Sequence, residues 1–143
     1  MHIHCYLTFN GNCREAMCFY QESLGGELTF QTMGESPFLN KLPKKIKDCI
    51  VQATLKKEVL VLQGSDMVPR SGLIKGNAVS LFLNCNSEEE IRKVYAKLSI
   101  EGKANHPLEN TLWVGLVGNL IDKFGNHWIL NFNKHITNQN LIN

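Results

Sequence analysis

The feature that most constrains this chain is an internal repeat. Residues 7–24, LTFNGNCREAMCFYQESL, align with residues 81–98, LFLNCNSEEEIRKVYAKL, at a constant offset of 74. Leu7 meets Leu81, Asn10 meets Asn84, Asn12 meets Asn86, Glu15 meets Glu89, Met17 meets Ile91, Tyr20 meets Val94 and Leu24 meets Leu98. Each copy reads as a strand, a polar turn and an amphipathic helix. Cys13, Ala16, Met17, Tyr20 and Leu24 form one apolar stripe at helical spacing, and Ile91, Val94, Tyr95 and Leu98 form the other. Ser87 with Glu90 three residues later has the pattern of a capping box, which sets the start of the second helix.

Strand-like runs follow each helix. In the first copy they are 27–33, 49–56 and 58–63, with a turn near Lys57-Glu58; in the second they are 103–108, 112–121 and 127–132. Both halves therefore read β-α-β-β-β, an α+β class. We expect one domain, 1–143, built from module 1 (about 1–66) and module 2 (about 77–133). A helix covers one face of each sheet, so the other face needs different cover. Two such sheets curving toward one another enclose a cleft, the usual seat of a small ligand. Residues 34–47 form a longer loop in the first half alone, and the Asn-rich tail 133–143 is expected to fray.

Composition removes several function classes. A net charge of +2 is too small to argue for nucleic acid, and Lys41, Lys44, Lys45 and Lys47 sit in a Pro-containing stretch without interleaved aromatics. No apolar run approaches the roughly 18 residues that span a bilayer. MHIHCYLTF lacks the basic flank and apolar region of a secretion signal, so a cytoplasmic location is expected. Cys5, Cys13, Cys18, Cys49 and Cys85 are odd in number and contain no C-x-x-C pair, so they read as small buried hydrophobes and not as disulfides or zinc ligands.

Alternation along the first strand puts Ile3, Cys5, Leu7 and Phe9 toward the helix and leaves His4, Tyr6 and Thr8 for the cleft. Near the other end, DKFGNHWILNF (122–132) opens on a turn, where Gly125-Asn126 tolerates positive φ, and continues as an apolar strand. Trp128 is expected in the core or an interface, and Asn131 and Gln63 at equivalent places of the two repeats.

Five stretches then carry a family signature in order. They are the run from Tyr6 to Tyr20, the Leu24-Gly25-Gly26 helix exit, Gly64-Ser65-Asp66, Leu112-Trp113, and Asp122-Lys123-Phe124-Gly125 with Trp128. Together, over nearly the whole chain, they resemble the PhnB-like branch of the glyoxalase/bleomycin resistance/dioxygenase superfamily, the vicinal oxygen chelate proteins. The resemblance implies a paired βαβββ fold, commonly a homodimer, in which metal-type members hold a divalent ion with donors from the first and last strands of each module.

Aligned on that resemblance, the donor positions fall on His4, Val61, Val79 and Ile129. Three of these are aliphatic, and one imidazole cannot hold a catalytic ion that takes three protein ligands. The branch often has a His in its third strand; this chain has Gln52, which bonds but is no general base near neutral pH. The expected site is therefore a cleft for a small, largely apolar ligand, lined by His4, Tyr6, Thr8, Gln52, Val61, Gln63, Val79, Trp113, Ile129 and Asn131, with no metal or cofactor. The alternative is a metal-dependent lyase, isomerase or dioxygenase using other donors, such as His2, His106, His127 or Glu109. A methyltransferase reading lacks a Gly-rich strand-turn-helix phrase for a nucleotide cofactor.

Overall fold

The computed structural model of the protein describes residues 1–35, 41–112 and 115–134. Its chain divides into two compact units, Met1–Ile74 and Lys75–Asn143. Each contains one copy of the repeat.

In the first unit β1 (Cys5–Thr8) leads into α1 (Cys13–Leu24), followed by β2 (Glu27–Thr32), a short 3-10 turn, a four-residue helix α2 (Lys44–Lys47), β3 (Ile50–Lys57) and β4 (Leu60–Ser65). The sheet order is β1-β4-β3-β2, with β1 parallel to β4 and the remaining pairs antiparallel. The second unit repeats that topology with β5 (Leu81–Asn84), α3 (Glu88–Leu98), β6 (Lys103–Thr111), β7 (Gly115–Ile121) and β8 (His127–Phe132), in the order β5-β8-β7-β6. The expected pair of βαβββ modules, two four-stranded mixed sheets each with its own helix, is what forms. Among the described residues no helix is long and apolar enough to cross a membrane.

The stripe expected on α1 is its buried face: Cys13, Ala16, Met17 and Tyr20 are fully buried and Leu24 nearly so. It packs on β3, β2 and β4. Gly64 makes that approach close, because a Cβ there would lie 3.1 Å from both Met17 Sδ and Phe9 Cε2 and 3.2 Å from Cys13 Sγ. On α3, Ile91, Val94 and Leu98 are buried. Tyr95 is half-buried, its hydroxyl 2.9 Å from the His106 carbonyl and 3.2 Å from that of Asn119, and so ties the helix to β6 and β7.

The two helices are fastened differently. Ser87 Oγ accepts the Glu90 amide at 3.0 Å, and Glu90 Oε2 accepts the Asn86 amide at 2.6 Å, one residue before the position of the usual reciprocal bond. Ser99 Oγ donates to the Tyr95 carbonyl at 2.7 Å at the other end. On α1 the N-cap residue Asn12 makes no side-chain cap bond. Asp66, just beyond β4, does that work from a distance: Oδ1 accepts the Gly11 and Cys13 amides at 3.0 and 2.9 Å, and Oδ2 accepts Ile50 N–H at 3.0 Å. At the C-terminal end, Lys57 Nζ donates to the Leu24 carbonyl at 2.9 Å.

Several expectations are corrected. Ile3 does not reach the helix; β1 begins at Cys5 and Ile3 is 96% exposed. Of the cysteines, Cys13 is buried and the other four are half-buried: Cys18 lies off the α1 stripe, while Cys49 and Cys85 flank strands. The repeat also slips. Phe9 N donates to Ser65 O and Cys85 N to Asn131 O, both at 2.8 Å, so these residues are counterparts and the first strands match at an offset of 76. The turn into the helix is one residue shorter in the second unit, 85–87 against 9–12. A slip of two keeps every strand side chain on its face, so an alignment made on the helix stripes at 74 still assigns the strand faces correctly. It makes Ser65, and not Gln63, the counterpart of Asn131.

Candidate functional site

Because each helix covers one face of its sheet, the side chains alternating to the opposite face are those free to meet a ligand. In the first unit the register sets Tyr6, Gln63, Thr54 and Thr29 side by side across β1, β4, β3 and β2. Next to them, Gln52 faces Gln31 and Thr8 faces Ser65. This face is a field of hydroxyls and carboxamides, with Tyr6 52% exposed. The strand β3 reaches it through a register shift opposite Gln31/Thr32, which lets Ile50 and Ala53 both point into the core and turns Gln52 outward. Val61 lies on β4 two residues before Gln63, paired with Lys56.

The second unit presents different chemistry on the same face. One row runs Phe82, Ile129, Asn119 and His106 across β5, β8, β7 and β6. The adjacent row runs Asn84, Asn131, Val117 and Glu109. Phe82 is 57% exposed, Ile129 and Val117 are half-buried, and Asn131 is buried. Asn131 Nδ2 donates to Asn84 Oδ1 at 2.9 Å, whereas its own Oδ1 is buried and has no hydrogen-bond partner. Phe82, Ile129 and Val117 thus lie beside the Asn84-Asn131 carboxamide pair, with Asn119, His106 and Glu109 toward the β6 side.

The phrase DKFGNHW holds the end of this strand. Asp122 is buried; its Oδ1 accepts the amides of Phe124 and Asn126 at 2.9 and 3.0 Å, and its Oδ2 accepts Trp128 Nε1–H at 2.8 Å. Gly125 adopts φ +85°, the left-handed turn conformation expected there. Trp128 is 3% exposed on the helix side, so it is a core residue of this unit.

The expected lining residues are therefore distributed as follows. Tyr6, Thr8, Gln52, Val61 and Gln63 share the free face of the first sheet, and Ile129 and Asn131 that of the second. His4 lies just before β1, exposed, its ring stacked against His2 with centroids 6.5 Å apart. Val79 precedes β5 and is 80% exposed; the β5 side chain opposite Ile129 is Phe82. Trp113 lies outside the described residues, as do 36–40 of the long loop and the tail from 135. Thr54, Phe82, Asn84, Val117 and Asn119 belong to these faces but were not anticipated. The signal for Phe82 and Asn84 was present in the alternation of LFLN, once the two-residue slip is allowed for.

Among the described residues the side chains do not suit a divalent ion. Val61, Val79 and Ile129 offer no lone pair, and among the described residues no three His, Cys, Asp or Glu side chains gather as ligands. Thiolate chemistry is also remote at Cys13. Burial foremost, and then the charge of Asp66, push its thiol up to about 12 against the opposing pull of Arg14.

Comparison with known proteins gives this arrangement its relatives. Residues 1–131 match the family model described as 3-demethylubiquinone-9 3-methyltransferase. The chain is 29% identical over 137 residues to Protein YjdN of Escherichia coli (strain K12), covering 88% of this chain and 91% of that protein. Among solved structures it is similar to protein PA1353 from Pseudomonas aeruginosa, with 34% identity, a TM-score of 0.81 and coverage of 93% of this chain and 98% of that one. A PhnB protein from Bacillus cereus follows at 27% identity and TM-score 0.74, covering 93% and 100%. At 16% identity and TM-score 0.62, a glyoxalase/bleomycin resistance protein from Albidiferax ferrireducens T118 shares the fold, over 93% of this chain and 98% of its own. The chain belongs to the 3-demethylubiquinone-9 3-methyltransferase, or PhnB-like, family and has the fold of the glyoxalase/bleomycin resistance proteins.

Proposed function

We propose that the protein is a small-molecule binding module that works without a metal, taking a largely apolar ligand on the helix-free sheet faces. The observation that carries this reading is the free face of the second sheet. There Phe82, Ile129 and Val117 are partly exposed beside one another on a surface that α3 does not cover. Exposed apolar surface of this kind, set with a few polar groups, is the usual character of a ligand site. Apolar burial at about 25 cal/mol per Å² supplies affinity, and carboxamides supply orientation.

The family name does not extend to the chemistry proposed for this chain. Methyl transfer needs a methyl donor, and the sequence offers no Gly-rich phrase for a nucleotide-type one. Two measurements test the reading. Native mass spectrometry of the purified protein is expected to find, or accept on titration, an apolar small molecule, with affinity lowered by Phe82→Ser. Elemental analysis follows dialysis against nickel, zinc, iron and manganese. One equivalent bound, and lost in His4→Ala, would overturn the proposal in favour of a metal-dependent lyase, isomerase or dioxygenase. The homodimer implied by the resemblance is carried as part of the same proposal; light scattering is expected to read twice the 16.2 kDa chain mass, and a single chain mass would remove it.

A further inference from the structure

The buried carboxamide of Asn131 is the polar group that the fold leaves unfinished. Asn131 is 7% exposed, Nδ2 is committed to Asn84 Oδ1 at 2.9 Å, and Oδ1 has no partner. A buried acceptor without a donor destabilises the folded state, so it is rarely kept where a hydrocarbon would do. Hydrocarbon would fit the neighbourhood: Val117 is its partner on β7, and Ile129 precedes it by two on the same face. The turn hub at the other end of β8 shows the contrast, since both carboxylate oxygens of Asp122 have donors.

We infer that Asn131 Oδ1 reads a hydrogen-bond donor on the ligand, so that the molecule bound is a neutral, mainly apolar compound carrying a hydroxyl or N–H. This rests on the binding reading above and names its ligand class. A donor completes the carbonyl, while the apolar remainder lies on Ile129, Val117 and Phe82. A carboxylate or phosphate ester brings acceptors only and sets oxygen against oxygen. The sense follows from the pair as it stands, in which Asn131 Nδ2 donates to Asn84 Oδ1 and leaves the Asn131 carbonyl as the open group; turning both amides together would leave an N–H open and reverse the preference.

The test uses the full chain and two probes of one shape, 4-tert-butylphenol and 4-tert-butylbenzoate, titrated by amide NMR. The phenol is expected to bind about tenfold more tightly than the benzoate, with shifts centred on Phe82, Val117, Ile129 and Asn131. Asn131→Leu is expected to lower phenol affinity about tenfold while raising the melting temperature by about 2–4 °C, because it removes an unsatisfied group from the unliganded protein. Asn84→Ala alters an exposed side chain and decides the matter if Asn131→Leu fails to fold: with the amide no longer held, the preference for phenol shrinks toward unity. Equal binding of both probes, unchanged in Asn131→Leu but lost in Phe82→Ser, would overturn the donor inference and leave the binding reading standing. Tighter binding of the benzoate would also overturn the inference. If neither probe binds the unaltered protein, the binding reading falls and takes this inference with it.

Discussion

Helices α1 and α3 occupy the same place in two copies of one unit, yet their starts are secured in opposite ways. The end groups of α3 are bonded within the helix and its immediate flank, through Ser87, Glu90 and Ser99. The start of α1 is bonded by Asp66, 53 residues away from Cys13, and at its other end Lys57, 33 residues away from Leu24, adds to local bonds from Ser23 Oγ to the Phe19 carbonyl and from Gly25 N–H to the Gln21 carbonyl. A helix start has unpaired amides that need acceptors, but nothing in that need specifies where the acceptor comes from. What the duplication preserves is the apolar stripe, because that is what meets the sheet. Capping and the chemistry of the free face were open to change, and both changed.

This comparison can be tested by substitution. Asp66→Ala is expected to have the largest effect, lowering stability by about 3 kcal/mol, because a charged acceptor shared by three backbone amides disappears. Hydrogen exchange should show faster exchange at Gly11, Cys13 and Ile50 together while α3 is unaffected. Equal loss in both units would mean that Asp66 does not act locally on the first.

A second expectation concerns the thiol at the first position of α1. A helix start ordinarily lowers a thiol's pKa. Here burial and Asp66 outweigh that, raising Cys13 from 9.0 to about 12. The folded state thus holds the proton more tightly than the unfolded chain, so the contribution is fully present below about pH 9 and lost as pH rises toward about 12. Denaturation followed across that window should show a steeper decline for the unaltered protein than for Cys13→Ala, and parallel curves would show that the thiol has no such role. Native protein should also label slowly at Cys13.

Smaller effects are expected from the caps. Ser87→Ala should cost about 1 kcal/mol, the usual value for an N-cap that bonds. Asn12→Ala should cost only about 0.3 kcal/mol, because its side chain makes no cap bond. If Asn12→Ala matched Ser87→Ala, the two helix starts would be fastened alike after all.

Much of this fold was legible in the sequence where the signal is periodic and local. The stripes of both helices, the capping box at Ser87 and the span of β8 at 127–132 follow from spacing alone. Free-face membership followed from alternation for Tyr6 and Thr8, whereas Ile129 came from the family resemblance and Gln63 and Asn131 from the repeat. Three things did not follow. The role of Asp66 depends on contacts with residues far off in the chain, and a lone acidic residue after a strand has no pattern to betray it. The irregularity before Gln52 breaks the period on which alternation depends. The slip of two residues in the first strands is invisible to an alignment anchored on helices, because it leaves every face unchanged while making Phe82 the counterpart of Tyr6 and not of Thr8.

The position of Asp66 also bears on the order of assembly. During synthesis α3 has its N-terminal cap as soon as its own first turn exists. The start of α1 must wait until the chain has grown through β2, β3 and β4 to residue 66, since the acceptor for Gly11 and Cys13 is not made before then. The first unit is thereby closed by its last strand, and its contacts are long in sequence, the kind that form slowly. On a ribosome adding about 5–20 residues per second, α1 spends some seconds as a helix with an unfinished end, whereas its twin is secured at once.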